Sequence, residues 1–525
     1  MEKKPAKHIS AAFLMLAVIY IVLSSVPLFS HGLANGHDIG YHLYRVVSVS
    51  NAVEKGTFPV RIYEERFNYY GYGSPLYYCD FFLYVPALFH NLFHLDYTFC
   101  WKIFIFIINI LTFVFSYYGF RAISSAEIGL LASLLYSLST YRLVDVYTRA
   151  AIGETCALMF LPLILCGFVQ IKRGYYRYWP VLAAGYAGVL LSHMLSFLMM
   201  LLFGAAFCII HWHEIIKKES ILSILKAVLL ALGCTAWFLV PLISAIALPV
   251  QATQNYPDFY LTTLSLSDLF DFRLLGAASM ETYKGILPTS SGYGITKTPG
   301  TLLVFGSFLF LAAFLINKRK KDSPLPCFGL FVSGWIIILL MSDLFPWKQL
   351  QDLPVFTVIR SFQFVWRFNM LVILFFSVCT AYSISYFIKK QTVSLPVITV
   401  LLLVFSFIFY TTYLPQSRRY TDDNMPLLTD ELYLFVDNDM TTRQLYESNW
   451  DSLIVNPLPT KHGVTFEYSV RLSSTSLPLY IDVPLNYYPG YVATVDGDSA
   501  KVTYSPTGIV RVYIPDNKTE GLVSV

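Results

Sequence analysis

Apolar runs of about twenty residues, set apart by short loops rich in lysine and arginine, constrain this chain more than any other feature. The first extends from Ile9 to about Phe29 behind Lys3, Lys4 and Lys7. It exceeds the ~7–15 residues of a signal-peptide core and is long enough to cross a bilayer, so it reads as a retained first helix. Further spans fall near 98–120, 126–143, 151–171, 179–194, 196–211, 222–247, 299–316, 327–342, 365–387 and 393–413, about eleven in all. Only 13% of the 525 residues are charged and 56% are hydrophobic. Soluble chains carry about 25% charge, and a single soluble core stops growing near ~250–300 residues, so lipid is the natural solvent for the excess.

Loop charge sets the orientation. Passing alternately through the spans, one face receives Lys3, Lys4 and Lys7, then Arg121, then Lys172, Arg173 and Arg177. The same face receives Lys217, Lys218 and Lys226, then Lys318 to Lys321, then Lys389 and Lys390. This positive-inside bias places the N-terminus in the cytoplasm of a multi-pass protein of the cell membrane. It requires 179–211 to be two short helices turning near Ser192-His193. It also requires 75–95, apolar but carrying Asp80, Pro86 and His90, to lie at the interface or re-enter. Segments 30–97, 248–298 and 414–525 then lie outside, and the short basic loops inside. The net charge of +4 comes from these loop clusters and is no nucleic-acid footprint. The eight cysteines all fall in apolar stretches without metal-ligand spacing and read as small buried hydrophobes.

The chain divides into a helical membrane domain, 1–413, and a β-rich domain outside the membrane, 414–525. In the tail, Val464 to Leu472 alternates with period two, and Leu479–Val483 and Lys501–Tyr504 are similar. Asp496-Gly497 and Pro489-Gly490 mark turns, so a small β-sandwich or jelly-roll is expected. Its opening stretch, 414–455, reads as irregular or partly helical. Asn517-Lys-Thr519 fits a glycosylation sequon that is common by chance.

Charge at the outer ends of spans is costly and marks candidate sites. One group follows the first span: Asp38, His42 and Arg45, spaced to share a helical face, then Arg61, Glu64, Glu65 and Arg66, then the tyrosine- and glycine-rich turn around Tyr72. A second holds Tyr141, Arg142, Asp145, Tyr147, Arg149 and Glu154. A third holds Arg360 and Arg367, and His193 stands at the turn between the fifth and sixth spans. A carboxylate ringed by arginines at this surface suits sugar transfer. The acceptor hydroxyl needs a base, and guanidinium groups hold the phosphate of a leaving group. A lipid-linked donor arrives through the membrane, so no nucleotide-binding loop is needed, and none is present in a strand–helix context.

These pieces resemble the bacterial YfhO-like and 6-pyruvoyl-tetrahydropterin-synthase-related membrane proteins, which are similar to GT-C glycosyltransferases. The match runs through Gly36-His-Asp38 with His42 and Arg45, Gly56 to Arg61, and Tyr70 to Pro75. It continues through Tyr141 to Glu154, Ser192-His193, Gln363 to Arg367, Tyr487 to Tyr491 and Val495 to Gly497. The pterin-synthase words are only a family name; no residue here points to a pterin enzyme. The resemblance implies an inverting transfer from a polyprenyl-phosphate-linked sugar to a cell-surface glycan, such as a teichoic-acid-like acceptor, on the outer face. It also implies that Asp38 is the catalytic residue. His42, Arg45, Arg61, Tyr72, Arg149, Glu154, His193, Arg360 and Arg367 would then contact substrate. GT-C enzymes often carry a second acidic residue beside the first. Here His37 precedes Asp38, which leaves Glu154 or Asp145 to complete any divalent-metal site.

Each residue also has a plainer reading. Asp38 suits a helix N-cap. His42 and Arg45 suit an interfacial helix, and Arg149 with Glu154 a structural ion pair. Arg360 and Arg367 suit contact with lipid phosphates, His193 a satisfied bundle histidine, and Tyr72 an interfacial belt. Two rival functions are a transporter or flippase for a lipid-linked sugar, which calls for ionisable groups at mid-membrane, and a non-catalytic cell-envelope assembly factor.

Overall fold

A computed structural model describes residues 11–34, 36–66, 70–246, 258–271, 275–276, 294–319, 327–356, 359, 362–387, 419–422, 447–448, 451–460, 463–472, 479–515, 518 and 520–525. Arg360, the sequon at Asn517 and the expected span 393–413 lie outside the described residues.

The principal helices are α1 (Ala11–Ser25), α2 (Ile39–Glu54), α3 (Tyr84–Phe93), α4 (Tyr97–Ile123), α5 (Ala126–Ser137) and α6 (Ile152–Lys172). Then come α7 (Trp179–Ser192), α8 (Met194–Ile210), α9 (Lys218–Ile246), α10 (Thr301–Arg319), α11 (Phe328–Met341) and α12 (Asn369–Phe387). Among the described residues, five helical segments are long and apolar enough to cross a membrane: Tyr97–Ile123, Ile152–Lys172, Lys218–Ile246, Thr301–Lys318 and Val365–Phe387. Five more, including Ala126–Ser137 and Met194–Ile210, are apolar but shorter. These five match expected spans by length, and the remaining expected spans are shorter helices or lie at least partly outside the described residues. The stretch 126–143, for example, breaks after Ser137, and its twelve-residue helix is only ~18 Å long against a ~30 Å hydrocarbon core. The chain is a membrane protein built mostly of helices. Its apolar residues face outward as well as inward: Leu229 is 60% and Ile243 69% exposed on α9, while most of α6 and α12 is buried.

The chain forms two compact units that do not follow the expected boundary at 413. One comprises 1–43, 93–235 and 255–427; the other comprises 44–92, 236–254 and 428–525. The first contains most of the bundle, with α6 packed between α4 and α7, and α12 against α5, α10 and α11.

The described strands are β1 (Leu33–Ala34), β2 (Leu275–Gly276), β3 (Gly294–Ile295), β4 (Arg419–Tyr420), β5 (Glu447–Ser448), β6 (Asp451–Thr460), β7 (Gly463–Leu472), β8 (Tyr480–Asn486), β9 (Ala493–Val495), β10 (Asp498–Ala500), β11 (Val502–Tyr504), β12 (Ile509–Tyr513) and β13 (Glu520–Ser524). The second unit contains the β-rich tail, two facing antiparallel sheets with strand orders β10-β9-β13-β7-β6 and β11-β12-β8-β5. Period-two alternation turns Phe466, Tyr468, Ile481, Val483, Val495, Val510, Val512 and Val523 into one shared core, which makes this a sandwich.

The tail is joined in this unit by the loop after α2. Asn486 donates from its backbone to Tyr70 O at 2.7 Å and from Nδ2 to Gly71 O at 2.6 Å. Gly73 lies under the Tyr488 ring, where a Cβ would come within 2.3 Å, so only glycine fits. These contacts join residues some four hundred positions apart within one unit.

Candidate functional site

The end of the bundle where α6 and α12 begin brings Arg367 to the second charged group. After α5 the chain makes a short helix, Thr140–Leu143, then a π-helical turn, Val144–Thr148. This wide turn carries Asp145 and leads into Arg149, whose N–H bonds Val144 O at 2.8 Å. The next residue, Ala150, is left-handed with φ 53°. A non-glycine residue there is strained, and the reversal turns the Arg149 carbonyl toward the first loop. Asp38 N–H meets that carbonyl at 2.8 Å, and His37 N–H meets Thr148 O at 3.0 Å.

Within the buried cluster, Arg149 Nη1 contacts Asp145 Oδ1 and, at 2.9 Å, Glu154 Oε2. Tyr141 donates its hydroxyl to Glu154 Oε1. Arg367 Nε stands 3.6 Å from Glu154 Oε2, and its Nη1 donates to Phe362 O at 3.1 Å and Gln363 Oε1 at 2.7 Å. Gln363 is also left-handed, with φ 68°. Trp366 closes one side, its ring 4.5 Å from the Arg149 guanidinium carbon. Two cations and two anions therefore balance in a dry setting, where each depends on its partners. Asp145 Oδ2, Thr155 Oγ1, Arg367 Nε and Asn369 Oδ1 are buried without a hydrogen-bond partner among the described residues. Buried orphans of this kind mark strain, chemistry or a ligand.

Asp38 is different. It is partly exposed, and its carboxylate makes no hydrogen bond or ion pair among the described residues. Its backbone carbonyl accepts the His42 N–H at 3.1 Å in the first turn of α2, so Asp38 stands at the N-cap position, while its side chain makes no capping hydrogen bond among the described residues. It acts electrostatically on both Arg149 and Arg367. His193, partly buried, accepts the Ser196 N–H on Nδ1 at 3.3 Å and lies in electrostatic reach of Glu154 and Arg367. The structure thus brings Asp38, Arg149, Glu154, His193 and Arg367 together in one unit.

The other candidates have separate occupations. His42 is 2% exposed, with its ring against Tyr41 and Trp101. In the second unit, Arg45 is 1% exposed and fully engaged. Its Nη2 reaches Asp80 Oδ1 at 2.5 Å, Tyr78 O at 3.1 Å and Cys79 O at 3.2 Å, while Tyr63 donates to Asp80 Oδ2 at 2.5 Å. This corrects Arg45 as a substrate contact: its Nε and Nη2 are held in the interior by a buried carboxylate and two carbonyls. Tyr72 is also corrected, because it is fully buried with its backbone bridged to Tyr63 and offers no face to a sugar. Arg61 donates to Trp237 O and lies over that indole.

Sequence reasoning missed Asp80 and Tyr63, whose partner Arg45 lies far away in sequence. Arg142, a member of the second charged group, is fully buried and bonded to Asn109 Oδ1 at 2.7 Å, Thr112 Oγ1 at 3.2 Å and Ser137 O at 2.9 Å. Among the described residues no three of His, Cys, Asp or Glu gather as a metal site. Asp145 and Glu154 are both turned to Arg149.

No family model matches the chain. A protein of Lactococcus lactis subsp. cremoris, itself called uncharacterized, is 24% identical over 365 residues, covering 65% of this chain and 55% of its own length. Among solved structures, the apo oligosaccharyltransferase of Archaeoglobus fulgidus has a TM-score of 0.43 at 11% identity, over 80% of this chain and 56% of that one. ArnT of Cupriavidus metallidurans, bound to undecaprenyl phosphate, has a TM-score of 0.41 at 12% identity, over 75% of this chain and 64% of that one. The chain therefore spans a little over half the length of these proteins. TM-scores at this level fall short of a shared fold, so the reading of the site rests on its own geometry.

Proposed function

We propose that this chain is a membrane glycosyltransferase of GT-C-like character, moving a sugar from a polyprenyl-phosphate donor to a cell-envelope glycan at the outer face. The observation that carries the reading is the Asp38 carboxylate: exposed in part, unbonded, fixed through its backbone to Arg149, and acting on two buried arginines. In the proposed step Asp38 takes the proton of an acceptor hydroxyl. The acceptor oxygen bonds to the anomeric carbon as the bond from that carbon to phosphate oxygen breaks, and the electron pair leaves on the lipid phosphate. One displacement inverts the anomeric carbon. In this reading Arg367, whose Nε pairs with Glu154 at 3.6 Å but makes no hydrogen bond among the described residues, meets the developing phosphate charge, and Arg149 is held in place by Asp145 and Glu154. The strain at Ala150 and Gln363, on either side of the cluster, fits a site that is held for chemistry. A teichoic-acid-like polymer is the proposed acceptor.

One observation favours the transporter reading. Arg142 is a buried cation whose contacts include Asn109, halfway along α4. Its bonded partners are uncharged, and through Ser137 O it also caps the end of α5, which is where a basic group is favourable.

Purified protein in lipid would be given radiolabelled polyprenyl-phosphate sugars and a crude envelope acceptor, comparing wild type with Asp38→Asn. Transfer by wild type, lost in the variant by ~10²–10⁴-fold, supports the assignment. Equal transfer by both removes Asp38 from the chemistry. No transfer across a broad panel, with translocation of a lipid-linked sugar in vesicles, replaces the enzyme with a transporter.

A further inference from the structure

α6 begins at the buried cluster and ends at Lys172, ~30 Å along its axis, so its far end is a separate place. The last carbonyls of α6 are already satisfied there. Val169 O, Gln170 O and Ile171 O accept the N–H groups of Arg173, Tyr175 and Gly174 at 3.1, 2.9 and 2.9 Å. The half-buried Lys172 side chain is therefore not spent on capping its own helix. It crosses to the end of α8, where its Nζ lies 3.4 Å from His211 Nε2.

His211 is a fixed seat for that ammonium. Its ring stands edge-on to Phe207 at 4.6 Å, and Phe207 packs on Phe168 of α6 at 5.2 Å. Burial and the neighbouring lysine draw the His211 pKa down, with Glu214 offsetting part of the shift, so the ring is neutral and accepts on Nε2. A lysine bonded to a neutral acceptor keeps its full charge and two further N–H groups. The start of α9 is tied to the same place, since the Ser220 hydroxyl donates to Glu214 O at 2.9 Å. Among the described residues, none of Lys172, Arg173, Lys217 and Lys218 forms an ion pair. Beside them Ile209 is 72%, Ile210 67% and Trp212 53% exposed. Apolar chains followed by an exposed indole mark the level where hydrocarbon gives way to headgroups, so these cations stand at the depth of lipid phosphate.

We infer that Lys172, seated on His211, holds the phosphate of an anionic phospholipid at this end of the bundle, with Arg173 and Lys217 adding positive charge around it. A basic surface alone attracts anionic lipid diffusely, and each of its cations counts alike. A seated ammonium makes one position count more than its neighbours. The inference is independent of the sugar-transfer reading.

The test titrates the full chain in neutral detergent with phosphatidylglycerol or phosphatidylcholine and reads the first bound lipid by native mass spectrometry. Wild type is compared with Lys172→Met, Lys172→Arg and Lys226→Met. Lys226, exposed on α9, controls for charge alone. Wild type is expected to prefer phosphatidylglycerol. Lys172→Met loses about tenfold of that affinity, the scale of one charge-assisted hydrogen bond, with phosphatidylcholine binding unchanged. Lys172→Arg restores most of the loss, and Lys226→Met keeps the wild-type preference. Equal losses in Lys172→Met and Lys226→Met mean diffuse attraction and overturn the site. Displacement by millimolar inorganic phosphate makes a free anion the ligand and overturns the lipid assignment. No preference for phosphatidylglycerol in wild type overturns the inference outright.

Discussion

Glu154→Gln changes one atom and removes one negative charge from the centre of the buried cluster. Glu154 is 1% exposed and serves three partners: Arg149 Nη1 at 2.9 Å, Arg367 Nε at 3.6 Å and the Tyr141 hydroxyl. Glutamine keeps an acceptor for Tyr141, so the loss falls on the two guanidinium groups. Asp145 still faces Arg149, but Arg367 is left without its carboxylate. Removing one member of a buried pair costs about 3–5 kcal/mol, mostly because the remaining charge is stranded. A loss near the lower end is expected, since Arg367 keeps its bonds to Phe362 O and Gln363 Oε1. Adding Arg367→Gln restores charge balance, so the double variant should recover about 1–3 kcal/mol of coupling. Unfolding by SDS titration in mixed micelles, run as a double-mutant cycle, reads this directly. A loss below ~1 kcal/mol, with the two substitutions simply adding, would refute a dry, mutually dependent cluster.

Three further outcomes follow from particular contacts. Asp80→Asn leaves Arg45 buried without its carboxylate and should destabilise the chain by about 3 kcal/mol, partly recovered in Arg45→Met/Asp80→Asn, as measured by the same titration. Asn486→Ala removes the Nδ2 bond to Gly71 O and should cost about 1–2 kcal/mol and increase proteolysis of the 70–73 turn, with bundle helices unchanged by circular dichroism. Asp496 is held below its ordinary pKa by the Leu522 N–H and by Lys518. The native state therefore binds fewer protons than the unfolded chain. The β9–β10 turn gains stability above the ordinary aspartate range and loses it as pH falls through the lower native value. Hydrogen exchange at the Leu522 amide should accelerate below about pH 4, and Asp496→Asn should abolish that pH dependence.

Much of this protein could be read before folding. Apolar length alone located helices Tyr97–Ile123, Ile152–Lys172 and Val365–Phe387, because lipid demands a continuous run with every backbone group bonded within it. Period-two alternation located β7 and β8 for an equally local reason. The group from Tyr141 to Glu154 was visible because charge next to an apolar run is costly. The sequence could not show which charges are already paired. Arg45 and Arg367 look alike in one dimension, yet one is closed off by Asp80, Tyr78 and Cys79, and the other keeps Nε unbonded. Nor could it show that the 70–73 turn belongs with Asn486 and Tyr488, or that Asn369 bonds the backbone carbonyl of Lys297. The sequence by itself therefore determined which segments enter lipid and which form strands, since periodicity and run length are properties of neighbours along the chain. Only the tertiary structure decided which polar side chains remain available for chemistry, since that depends on partners tens to hundreds of residues away.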